Sequence, residues 1–222
     1  MFVINFKNYD EISGVRTQKL AAISQKIAKK YKIKIAICPP HHLLGVKYSG
    51  PIISQHVDNA KIGSTTGFVI PELLKKSKIA GSLINHSEHR IPPKDIADLV
   101  ERLRNLKMTS IVCVQDVVEA SKYAKLNPDY IAIEPPELIG SGKAVSTERP
   151  ELITEAAKAV KSAKNSTKLL CGAGIVSGAD VRKAMELGSS GILVASGIVK
   201  AKKWSAIVEE FAKAMLKTPS NR

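Results

Sequence analysis

The stretch Thr109-Ser110-Ile111-Val112-Cys113-Val114 decides the architecture. Its last four residues are apolar without a break, so a strand built from them needs cover on both faces. A sandwich strand alternates apolar and polar residues, whereas a continuous run suits a parallel sheet buried on both sides. Gly191-Ile192-Leu193-Val194 is a second run of this kind. Working outward, β-rich runs fall over residues 2–6, 34–38, 51–57, 81–85, 109–114, 129–133, 168–171 and 191–195. Between them, residues 20–28, 96–106, 152–163, 181–187 and 207–216 carry apolar side chains at three- and four-residue steps, the period of an amphipathic helix. Gly188 is a helix stop signal and Ser205 a start signal. Eight alternating units predict an α/β fold, a single-domain (β/α)8 barrel over residues 1–222, with an open doubly wound sheet as the second architecture. The crossover between residues 34 and 51 is short and has room for a turn or two around residues 41–46.

At 222 residues and 44% apolar content, the chain is long enough for a sizeable core. It has no apolar run near 18 residues and no basic leader at its start, so it is expected to be cytoplasmic and to have no membrane partner. Cys38, Cys113 and Cys171 have the spacing of neither a redox pair nor a zinc site and read as buried, reduced thiols. The formal charge of +14 could attract nucleic acid, anionic membranes or small phosphorylated molecules. Its lysines recur at spacings that suit solvated helix faces, as at Lys26, Lys29, Lys30, Lys32 and Lys34. With no interleaving of basic and aromatic residues, nucleic-acid binding is not expected.

Reactive residues at the carboxyl ends of barrel strands carry more weight than the same residues in helices. Lys7, His86 and Glu134 each follow an apolar run. Singly they read as a snorkelling lysine, a hydrogen-bonded histidine and a loop cap. Together, a carboxylate base, an imidazole donor and an ammonium suit proton abstraction beside a carbonyl. Glu134 also precedes the glycine-hinged stretch Leu138-Ile139-Gly140-Ser141-Gly142-Lys143, which reads as a lid. His41, His42, His56 and His89 show no metal-ligand spacing with carboxylates and read as surface or supporting residues.

Five motifs in order resemble the triosephosphate isomerase family, in the shortened form associated with archaea. They are Asn5-Phe6-Lys7, the block Asn85-His86-Ser87-Glu88-His89-Arg90, the lid from Glu134 to Lys143, Cys171-Gly172-Ala173-Gly174-Ile175 and Leu193-Val194-Ala195-Ser196-Gly197. The resemblance implies a TIM barrel enzyme of glycolysis and gluconeogenesis that interconverts dihydroxyacetone phosphate and D-glyceraldehyde 3-phosphate through an enediolate. Glu134 would move the proton, His86 polarise the carbonyl and Lys7 stabilise charge, with Asn5 beside the carbonyl and Glu88 orienting Lys7. Backbone N–H groups of Gly140, Gly174 and the Ala195-Ser196 turn would cradle the phosphate. Ile139 would cover the substrate when the lid closes, a motion for which this family is itself a standing example. The resemblance implies neither cofactor nor metal. It also implies a homodimer or homotetramer in which Thr66, within Gly63-Ser64-Thr65-Thr66-Gly67, reaches a neighbouring subunit. In this chain Cys171 and Gly174 replace the family's usual tyrosine and serine, and Pro136-Glu137 replaces a Val-Trp pair. The remaining rivals are another phosphate-binding barrel, of the indole- or pentulose-phosphate type, and a basic scaffold for RNA or anionic surfaces.

Overall fold

The computed structural model describes residues 1–138 and 144–217. Eight strands run in parallel: β1 (Phe2–Asn5), β2 (Ile35–Cys38), β3 (Ile53–Ser54), β4 (Gly81–Ile84), β5 (Thr109–Val114), β6 (Tyr130–Ile133), β7 (Lys168–Cys171) and β8 (Ile192–Val194). Their order is β2-β1-β8-β7-β6-β5-β4-β3, and a parallel bridge between Ile37 and Ile52 joins the two ends into a barrel. That closure excludes the open doubly wound sheet.

The unbroken apolar strands are explained by two buried layers. Val3, Ile111, Cys113, Leu170 and Leu193 point into the barrel with Ala36, Cys38, Ile53, Leu83 and Ala132. Their neighbours Phe2, Ile4, Val112, Val114, Leu169, Ile192 and Val194 point outward, against the helices. Alternate residues therefore serve different cores, and neither set is left for water.

Around the barrel lie α1 (Val15–Tyr31), α2 (Pro71–Lys76), α3 (Pro93–Asn105), α4 (Val117–Ala124), α5 (Val145–Glu148), α6 (Pro150–Ser162), α7 (Gly178–Glu186), α8 (Ser196–Val199) and α9 (Trp204–Lys217). α1, α3, α6, α7 and α9 correspond to the helices read from the sequence; each starts nearer the N-terminus than read, and α3, α6 and α7 end one residue sooner. The short 34–51 crossover holds one 3-10 turn, His41–Leu43. α2 and α4 escaped the periodicity reading because each has too few turns to show it. Their start signals were nonetheless present: Pro71 opens α2, and Asp116 caps α4 by accepting the Glu119 amide at 2.8 Å.

All three cysteines are buried and free. Burial raises the Cys38 thiol and pushes that of Cys171 up to about 12, so both stay protonated. Lys26, Lys29, Lys30, Lys32 and Lys34 are exposed, as expected of solvated faces. No helix among the described residues is long and apolar enough to cross a membrane.

Candidate active site

β1 ends in Asn5, which is 3% exposed. The Asn5 Oδ1 atom accepts the Lys7 amide at 3.0 Å and holds Lys7 at φ 48, a left-handed backbone that a lysine rarely adopts. The bend turns the Lys7 side chain over the barrel mouth, where Nζ donates to Glu88 Oε1 at 2.7 Å. Gln55 fixes the same corner by donating to Lys7 O at 3.2 Å and Cys38 O at 3.0 Å.

After β4, Asn85 takes φ 63 and ties the strand end down, donating to Cys113 O and accepting from the Ile91 amide. His86 follows. Its Nδ1 lies 3.1 Å from the Glu88 amide, which can only donate, so Nδ1 accepts and the ring proton sits on Nε2. Nε2 faces Glu134 Oε2 at 3.7 Å.

Glu134 is 3% exposed, and its amide continues the ladder past β6 by donating to Val114 O at 2.8 Å. Its Oε2 atom is buried and accepts no hydrogen bond from any described residue. A buried carboxylate oxygen without such a partner is open to accept from an incoming group. Below it, burial and then the Glu134 charge hold the Cys113 thiol well above its ordinary 9.0, so Cys113 presents a neutral floor.

Gly172, immediately after β7, is a site residue that the sequence reading passed over. A Cβ there would lie 2.4 Å from Glu134 Cγ and 2.9 Å from Oε1, so the carboxylate occupies the space a side chain would take. Gly197 is the second such position. Its missing Cβ would fall 2.3 Å from Ile175 O, and its absence lets the turn after β8 pack against the turn after β7. Gly174 (φ 70), Ala195 and Ser196 line one cavity with Lys7, His86 and Glu134. Ile139 and Gly140 lie outside the described residues, while Glu137 and Arg149, on either side of them in sequence, pair at 2.8 Å. Thr66 lies apart from these groups on a loop, 61–68, that is exposed throughout.

A closed parallel barrel with its ionisable side chains gathered at the carboxyl ends of the strands defines a (β/α)8 barrel enzyme. The family model for triosephosphate isomerase matches residues 1–211. The chain belongs to the triosephosphate isomerase family. The triosephosphate isomerase of Cenarchaeum symbiosum is 57% identical over 217 residues, 97% of each chain. That of Methanothermus fervidus is 41% identical, covering 97% of this chain and 98% of its own. The Methanocaldococcus jannaschii protein is 40% identical, covering 96% and 99%.

Proposed function

We infer that the chain is a triosephosphate isomerase, interconverting dihydroxyacetone phosphate and D-glyceraldehyde 3-phosphate. The observation that carries this reading is His86 Nε2 standing 3.7 Å from an unpartnered Glu134 oxygen, with the Lys7 ammonium in the same cavity. Glu134 takes a proton from C1 of dihydroxyacetone phosphate. The electrons of that C–H bond form the C1–C2 double bond, and the carbonyl electrons move onto O2. His86 Nε2–H and Lys7 hold the charge on O2, in a mouth where little water competes. The proton of O1 then passes to O2 by way of His86, so that O1 becomes the aldehyde oxygen and O2 the hydroxyl, while the electrons of the C1–C2 double bond take the proton from Glu134 at C2.

Asn5 and Glu88 act through Lys7, the first by shaping its backbone and the second by holding its ammonium. Backbone amides at Gly174 and the Ala195-Ser196 turn, with Gly140 from the lid, take the phosphate, and Ile139 covers it. The chain works as one catalytic domain over residues 1–222 in the cytoplasm. It assembles as a homodimer or homotetramer through the Thr66 loop, whose Ile62 and Phe68 are each 53% exposed and offer apolar surface to a second copy.

A coupled assay of glyceraldehyde 3-phosphate conversion tests the reading. Native turnover is expected, and Glu134→Gln is expected to lower kcat by about 10²–10⁴-fold, the usual contribution of a general base. A folded native chain without turnover would overturn it.

A further inference from the structure

A cavity of about 380 Å³ lies on the side of the mouth away from the phosphate turns, and it gathers His41, His56 and His89 beside Lys7, His86 and Glu88. The His56 and His89 rings stack with centroids 3.7 Å apart and planes within 9°. Each ring is tied to a different piece of the molecule. His56 Nε2 donates to Asp58 Oδ1 at 3.0 Å, and Asp58 closes the base of the 59–68 loop: its Oδ2 accepts the Val69 amide at 2.6 Å and its amide donates to Val69 O at 2.8 Å. The His89 amide donates to His86 O at 2.8 Å and closes the turn that aims the catalytic imidazole.

We propose that His89 is a positioning residue whose stack on His56 couples the anchoring of the 59–68 loop to the turn that aims His86, and that a second proton breaks this coupling. The proposal rests on the isomerase reading of His86. Stacked rings tolerate one charge, but a second meets the first at 3.7 Å, and with His56 buried and His89 exposed water screens the pair from one side only. The carboxylates near the stack are already engaged, and Asp58, whose charge is felt by both rings, is a single charge shared between them. Glu88 is engaged by Lys7, and Arg90 is paired with Glu119. Asp58 is shared between His56 and Val69. His41 adds a third imidazole. Its Nε2 donates to Ser54 Oγ at 2.9 Å, because the Ser54 hydroxyl proton is already given to His56 O.

Burial holds His56 below its ordinary 6.5, and the His89 and His41 rings add to this against the pull of Asp58. The native fold therefore favours the neutral ring. That preference is fully expressed above about 6.5 and is lost as the pH falls below it.

The test compares the native chain with His89→Ala and His89→Phe, measuring kcat and KM from pH 5 to 9 together with the NMR titration of the His56 ring. His89→Ala is expected to lower kcat by about tenfold at pH 8 with KM little changed, as misaiming without lost binding would. His89→Phe, which keeps a stacking ring but cannot take a proton, should restore kcat to within about twofold of native. It should also move the acid limb of kcat and the His56 titration in the same direction, since one opposing charge is gone. His89→Ala indistinguishable from native, or His89→Phe as impaired as His89→Ala, would overturn the proposal alone. A native chain without isomerase turnover would overturn the isomerase reading and the proposal with it.

Discussion

The two halves of the mouth are built on opposite principles. The side formed by β1, β4 and β6 presents side chains, namely Asn5, Lys7, His86, Glu88 and Glu134, each bent or hydrogen-bonded into place. The side formed by β7 and β8 presents mainly backbone, kept accessible by Gly172, Gly174 and Gly197. On the isomerase reading proposed above, moving a proton requires particular functional groups at particular atoms, whereas gripping a phosphate requires amides and room. One side depends on what is there and the other on what has been left out.

Gly172→Ala should break this division most sharply, because the glycine belongs to the backbone side but yields its space to Glu134. The added methyl can be accommodated only by displacing the Glu134 side chain, 2.4 Å away at Cγ. A fall in kcat of about 100-fold is expected, with the thermal midpoint close to native, since a misplacement near 1 Å can cost that much. Steady-state kinetics and a melting curve read the two parts, and a loss confined to KM would contradict the division.

Gly197→Ala should show the other pattern. The colliding atom is the Ile175 backbone oxygen, which cannot swing away, so about 1–3 kcal/mol of stability and a raised KM are expected, with kcat the least affected. Denaturant unfolding beside kinetics measures both.

Arg149→Ala is the mildest change. Its pair with Glu137 joins the two sides of residues 139–143 in sequence but is about half exposed, so it contributes about 0.2–1 kcal/mol. A melting midpoint near native with a modest rise in KM is expected. A large loss of kcat would mean that the pair belongs with the proton-handling side.

The sequence was more legible on the side-chain half for the same reason. Lys7, His86 and Glu134 stand out because ionisable residues directly after apolar runs are easily noticed, and the strands preceding them fold nearly as read. β3 shrank from the expected 51–57 to two residues, Ile53–Ser54, because the chain beyond it turns aside to place His56 and Asp58. Gly172 lies between Cys171 and Ala173 in a glycine-rich turn, yet its role depends on a contact between the ends of neighbouring strands β6 and β7, which no local pattern contains. The His56–His89 stack joins residues 33 apart in sequence for the same kind of reason; read singly, both histidines were ordinary surface or supporting residues. Pairings brought about by barrel closure become visible only once the barrel is closed.

That closure has a consequence for how the molecule breathes. Between β2 and β3 the ladder is reduced to the bridge at Ile37 and Ile52, with the Ile37 amide donating to Pro51 O at 3.1 Å, while His41 and Ser54 brace the same seam through side chains. A seam joined this sparingly, like the single register pair between β7 and β8, opens at lower free energy than the full ladders. Deuterium uptake at the Ile37 amide therefore reports the opening of this seam apart from the melting of the barrel.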